Sequence, residues 1–392
     1  MKTGYLHKPR LIYLLLIIVV FFCFCAPGRL AAAGEEEELQ LTLQEAVERA
    51  YRVDHKVRAA KLERDKAREE KHKAADRLQD SYVYLTPADE EDHKNVILAE
   101  LNYQAKSGEE DVARSNLETR VVEGYSNVLV AQEAVESAKQ ELRVQEWNQK
   151  AALAQYLHGM ISALEYEQLS SVLKQTQSAL AQAEQELAKA YVEFNTLVGL
   201  WPERRPVLVT AIPYKPLDVK SITSEASRAV DSSRDLYAMS RYIQIQRLEQ
   251  SRFLIDAGLQ EMGIDVAGLS RFFVDPDLQE MEIDIAELRE AEAKSEIQKQ
   301  VRLFYQEILS LEEAIASVAE NVKLAGRALD AASVRYELGM AVEGDVIQAE
   351  AKLAAARQAL SKMQYAHVSS AAAYRNLTGR KIIPESWSGN GN

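Results

Sequence analysis

Residues 180 positions apart in this 392-residue chain carry the same side chains, and each copy holds long stretches without proline. At that offset Tyr125 meets Tyr305, Leu129 meets Leu309 and Glu133-Ala134 meets Glu313-Ala314. The register continues without a gap through Tyr156 and Tyr336, Gly159-Met160 and Gly339-Met340, Gln168 and Gln348, Ala179-Leu180 and Ala359-Leu360. It ends at Leu197 and Gly199 against Leu377 and Gly379. One position closer, Thr42-Leu43 matches Ser221-Ile222 and Arg49-Ala50 matches Arg228-Ala229. Chance supplies alanine matches at a fixed offset, but not Tyr, Gly and Met together. The length therefore records a duplication rather than two unrelated domains.

Each copy reads as helix. Thr42 to Glu45 is a capping box, and Ser221 holds the matching cap position. No proline lies between Pro87 and Pro202 or between Pro276 and Pro384, so Gly108 to Leu157 fits one helix of about 75 Å. In the second copy Leu353, Ala356, Leu360, Met363, His367, Ser370, Tyr374 and Leu377 step alternately by three and four. Leu173, Thr176, Leu180, Ala183, Leu187, Ala190, Phe194 and Leu197 repeat the pattern in the first. That spacing is a coiled-coil seam. Its many small and polar members suit antiparallel helices packed closely or lining a channel, and Ala181, Ala188, Ala354 and Ala355 are further small residues that allow close approach. Leu157 to Ser162 and Leu338 to Asp345 interrupt the helices with Gly-Met, where a left-handed glycine reverses the chain. The expected fold is all-α: two tandem copies of a long antiparallel hairpin, interleaved as one body.

The first residues follow a different logic. Lys2, Lys8 and Arg10 precede sixteen apolar residues, Leu11 to Ala26, and Ala31-Ala32-Ala33 follows. This is read as a signal peptide spanning 1–33. The competing reading is an uncleaved anchor, but sixteen residues span only about 24 Å of a ~30 Å hydrocarbon core. A lipoprotein signal would need a small residue before Cys25, where Phe24 stands. Removal takes away both cysteines, Cys23 and Cys25, and moves the net charge from −13 to −17. An exported chain without disulfides must be held by packing or assembly. The remaining segments are a first copy over 34–201, a linker over 202–220 with four prolines, a second copy over 221–380 and a polar tail over 381–392.

Composition excludes several classes. Sixteen glycines and nine prolines are too few for a many-stranded sandwich or barrel. A nucleic-acid binder needs a basic face, so sixty acidic against 47 basic residues argue against that class, and without a basic groove the 17 tyrosines do not suggest base stacking. Phosphate-binding glycine loops, G-x-S-x-G elbows and H-E-x-x-H pairs do not occur, so no enzyme chemistry, metal or cofactor is expected. His55, His72 and His93 lack metal-ligand spacing, and His367 takes the seam position of Leu187. His367 is read as a packed or bridging residue. The Glu35 to Glu38 run reads as a solvated leader.

The opening LTLQEAVERA, the turn RYELGMAVEGDVIQAEAKL and the copy ends NTLVGL and RNLTGR resemble the TolC-like outer-membrane efflux family. The resemblance covers Leu41 to Arg380 in both copies. It implies a homotrimer whose hairpins form an α-barrel duct, continued across the outer membrane by a β-barrel of four strands per protomer. It also implies that a periplasmic adaptor and an inner-membrane pump dock at the turns.

One departure is expected. A membrane strand needs about nine to eleven alternating residues. In the first copy Ser81 to Leu85 is too short, and only Asn95 to Gln104 has the length. In the second, Gly258 to Ile285 carries acidic residues throughout, which lipid-facing strands disfavour. The β-barrel is expected to be absent or vestigial, leaving location open between the outer membrane and a periplasmic or other extracytoplasmic site.

By the resemblance, Asp345 contributes to an acidic ring at the duct entrance, with Glu165 as its first-copy counterpart and Gln348 and Gln168 one turn on. Such a ring would favour cations. The alternative for Asp345 is a solvated acid favoured by a helix N-terminus. Leu157, Gly159, Met160, Leu338, Gly339 and Met340 would meet the adaptor, and flexible exposed methionine suits an adaptable surface. The bland reading of the glycines is a tight turn. Two functions remain: a passive exit duct of a tripartite efflux or type I secretion-like system, or an exported coiled-coil scaffold of the envelope.

Overall fold

The computed structural model describes residues 39–79, 87–210, 214–261 and 276–384. The signal peptide, Ser81 to Leu85 and the middle of Gly258 to Ile285 lie outside the described residues. The chain divides into Met1–Gln40 and one compact unit, Leu41–Asn392, which holds the described helices.

Helix α1 spans Leu43–Val53 and opens on the expected capping box, in which Glu45 N donates to Thr42 Oγ1 at 3.2 Å and Thr42 N to Glu45 Oε2 at 2.9 Å. Then come α2 (His55–Gln79), α3 (Pro87–Leu157) and α4 (Ala163–Val198). The second half repeats the order with α5 (Ile222–Ser232), α6 (Arg234–Glu261), α7 (Pro276–Glu337) and α8 (Glu343–Leu377). Strands β1 (Gln40–Leu41) and β2 (Val207–Leu208) have two residues each.

Helix α3 is longer than the spacing from Gly108 suggested. It begins at Pro87, whose missing N–H costs nothing in a first turn, and runs 71 residues or about 107 Å. Asn95 to Gln104, which has the length of a membrane strand, is therefore helical. Pro276 likewise opens α7. Residues 276–285, the end of the second candidate stretch, are helix as well.

The seams lie where the period placed them. Every one of the sixteen positions is buried or half-buried, from Leu173 to Leu197 on α4 and from Leu353 to Leu377 on α8. Helix α3 packs on α4, α7 on α8, and α3 on α8, so the two hairpins share a wall. Ala188 and Ala354 are half-buried in that packing, whereas Ala181 and Ala355 are exposed on the protomer.

The main core shows why the copies do not separate. Leu43, Val47, Leu117, Val121, Tyr125 and Phe194 of the first half enclose Val368, Ala372 and Ile382 of the second. Ile382 is buried, so the segment after Arg380 starts as part of the core rather than as a polar tail. Tyr125 packs edge-on to Phe194, with centroids 5.9 Å apart.

The linker is bound to this core. Val209 N donates to Leu41 O at 3.2 Å, Thr210 N to Tyr125 Oη at 2.9 Å, and Leu43 N to Thr210 Oγ1 at 3.2 Å. Buried Asn195 donates through Nδ2 to the carbonyls of Trp201, Pro202 and Arg204, holding the turn that starts the linker. A loop of this length inside the fold needs its backbone polar groups satisfied, and these bonds do it.

Candidate functional site at the hairpin turns

Both turns are built by the same bonds. Met160 N donates to Gln155 O and Gly159 N to Tyr156 O, each at 2.9 Å. Met340 N donates to Arg335 O at 2.7 Å and Gly339 N to Tyr336 O at 2.9 Å. This six-to-one and five-to-two pattern requires a left-handed residue, and Gly159 and Gly339 have φ of 69° and 67°. Neither glycine is crowded, so backbone conformation alone explains them.

The turn geometry forces large apolar side chains outward. Leu157 and Met160 are each 73 % exposed, and Leu338 and Met340 are 68 % and 75 % exposed. Tyr156 stacks on Tyr166 beside the first turn, with centroids 5.4 Å apart. Each turn thus leaves one Leu and one Met uncovered by the protomer.

The two turns are held together by α3 and α8. Trp147 and Val144 pack on Ile347 and Ala351, and Arg143 reaches Glu350 at 3.0 Å. Gly344 sits under the Trp147 ring. This contact had no sequence signal, because the partners are nearly two hundred residues apart.

The acidic candidates sit at matching helix starts and cap them. Ser162 N and Oγ both donate to Glu165 Oε2, at 2.7 and 2.8 Å, and Glu165 N donates to Ser162 Oγ at 3.2 Å. The Ser162 backbone N–H, helped by its hydroxyl, holds the Glu165 carboxyl below the usual range. In the second turn Val342 N donates to Asp345 Oδ2 at 3.1 Å, but valine has no acceptor, so half of the box is missing. Asp345 and Glu165 are exposed, as are Gln348 and Gln168 one turn further on. Within one protomer the acids act as helix caps, and their side chains also face solvent.

His367 is buried and bridges, as a packed seam residue should. Its Nε2 lies 3.1 Å from Glu312 Oε1, and because a carboxylate only accepts, Nε2 carries the proton. The same oxygen accepts Leu217 N at 2.7 Å, which ties the linker to α7. Burial holds the His367 pKa below its usual 6.5, against the opposing pull of Glu312. Tyr214 meets the imidazole edge-on at 5.0 Å.

Among the described residues no three His, Cys, Asp or Glu side chains are placed to hold a metal. No described helix is long and apolar enough to cross a membrane.

No protein-family model and no curated protein matches the sequence. Solved structures do match. The outer-membrane channel OprN aligns over 87 % of this chain and 91 % of its own, with TM-score 0.63 and 14 % identity. The outer membrane protein VceC of Vibrio cholerae aligns over 87 % and 97 %, with TM-score 0.59 and 15 % identity. The CmeC outer membrane channel of Campylobacter jejuni aligns over 91 % and 92 %, with TM-score 0.58 and 11 % identity. OprN and CmeC are outer-membrane channels. At identities this low the likeness is one of fold, the fold these outer-membrane proteins share.

Proposed function

We propose that the protein is the passive exit duct of a tripartite efflux or type I secretion-like system. Three copies set their hairpins side by side as an α-barrel, and an adaptor and a pump dock at the turns. The observation that carries this reading is the pair of exposed Leu, Gly and Met turns on a body whose fold matches efflux channels over about nine-tenths of its length. A spacer would need only the packed seams and would gain nothing from large apolar groups in water at both turns. In the duct, Asp345 and Glu165 ring the entrance with six carboxylates, and neutral Gln348 and Gln168 stand one turn behind them.

The chain works outside the cytoplasm, in the cell envelope, and its neighbours' outer-membrane setting favours that membrane. Helix over Asn95 to Gln104 favours the second reading, an envelope scaffold that has kept the hairpins without transport. Native mass spectrometry of the purified protein separates the two. The duct gives three copies at micromolar concentration, and a monomer or dimer there overturns it.

A further inference from the structure

Away from the turns, α3 of the first copy packs on α6 of the second, and Gly108 lies against the stem of Arg234. A Cβ on Gly108 would overlap that stem, so the two backbones come close at this level. From there a trough of about 240 Å³ opens between the two helices. Its α3 wall holds Leu98, Leu101 and Ala105, and its α6 wall holds Ala238, Tyr242 and Ile245. Each set is spaced by three and four residues and so forms one helix face. Among the described residues only these two helices line the trough. Leu98, Tyr237 and Tyr242 are 40–54 % exposed, which leaves apolar and aromatic surface in water.

Two arginines, Arg234 and Arg241, stand at the rim. Arg241 is held by a directional chain of hydrogen bonds that crosses three helices. Its Nε donates to Tyr237 Oη at 3.1 Å, Tyr237 Oη to Gln104 Oε1 at 3.1 Å, and Gln104 Nε2 to Glu100 Oε1 at 2.9 Å. Lys71 Nζ of α2 ends the chain on Glu100 Oε2 at 2.5 Å. Arg241 Nη1 donates to Gln244 Oε1 at 2.8 Å, and the guanidinium lies 5.3 Å from the centre of the Tyr237 ring. All of its partners are neutral, and Arg241 forms no ion pair with a described residue. Arg234 Nη2 reaches Asp111 only at 3.8 Å. Asp235, the one acid of α6 between Arg234 and Arg247, lines a separate cavity with Asp231 and Asn116. The rim is positive and the floor apolar.

We infer that this trough binds a small carboxylate with an apolar or aromatic body. The carboxylate accepts from Nη2 of Arg241, the donor that Tyr237 and Gln244 leave unused, in a charge-assisted bond. The body lies between Leu101 and Ala105 on one side and Ala238 and Ile245 on the other. An aromatic body also packs on Tyr242. An amine of the same shape would meet two guanidinium groups in place of a carboxylate's partners, which discriminates against it. The volume falls below the roughly 300 Å³ at which pockets for drug-sized ligands begin, so the occupant is slim. Arg241 is already held in place by its neighbours, and little side-chain freedom is lost on binding. The ligand touches one helix from each copy, so its binding stabilises the junction between them. The site lies within one chain and does not depend on how many copies assemble.

The test is titration calorimetry of the full chain with phenylbutyrate, and with phenylbutylamine as a cation of matching shape. Phenylbutyrate should bind once per chain and raise the unfolding temperature, and the amine should do neither. Arg241→Gln should weaken phenylbutyrate about tenfold or more, the loss expected for a hydrogen bond to a charged group. Ala238→Leu fills the trough with a good helix former and should weaken it at least as much. Circular dichroism of both variants should match the parent. Where a variant loses helix, the comparison of acid with amine on the parent chain still decides. No binding of phenylbutyrate, or equal binding of acid and amine, overturns the inference. Binding of the acid that neither substitution moves lies elsewhere and also overturns it. An effect of Arg241→Gln alone marks a surface anion contact and overturns the trough as the seat of the apolar body.

Discussion

The indole of Trp147 fills the space that a side chain on Gly344 would need, and a Cβ there would overlap the ring. This contact fixes the first hairpin to the second close to the turns, and with it the relative height of the two Gly-Met pairs. Gly344→Ala must push the ring aside. Overpacking of this kind costs about 1–3 kcal/mol, more than the ~1 kcal/mol that alanine gains over glycine in a helix. Chemical denaturation should show a less stable protein, and tryptophan emission should move to longer wavelength as Trp147 meets water. Equal or higher stability with an unchanged spectrum would contradict the packing described.

The two turns differ at one cap. Ser162 completes a box with Glu165, whereas Val342 leaves Asp345 with only the backbone donor. The Asp345 N–H turns instead to Val342 O at 2.9 Å, and Val342→Ser offers it the hydroxyl acceptor that the Glu165 N–H has. The expected gain is about 1 kcal/mol in denaturant unfolding. No gain would mean that the second turn cannot adopt the geometry of the first.

His367 makes the fold sensitive to acid. Its pKa is depressed in the folded chain, so the unfolded chain binds a proton more readily. The stability this neutral histidine contributes is present above about pH 6.5 and is lost as pH falls from there through the folded value. His367→Gln keeps a donor for Glu312 and removes the titration. Unfolding measured between pH 7.5 and 5 should fall less steeply in the variant than in the parent. Parallel slopes would show that other groups carry the acid response.

The parts legible in the sequence are those set by local period. The seam from Leu353 to Leu377 was visible because α8 buries one face along its whole length, and each buried residue recurs every three or four positions. The turns were visible because only glycine takes the φ that Gly159 and Gly339 adopt. Asn95 to Gln104 was ambiguous for a physical reason. Ten residues with apolar groups on both sides fit a strand, and they equally fit a helix held between α2 and α6. Trp147 on Gly344 and the Thr210 bond to Tyr125 join distant segments, and no period or motif announces such a pair. The proline-bearing segment read only as a linker between the copies, yet its carbonyls and amides are bound by Asn195, Tyr125 and Glu312.

The proposed duct requires three copies to enclose a continuous lumen. Electron cryo-microscopy of the purified assembly, viewed down its long axis, makes that lumen visible or shows it missing. A duct appears as a three-fold ring of helices around an open centre, with the Leu157 and Leu338 turns gathered at one end. A solid bundle, or a particle of one or two copies with no lumen, would contradict it.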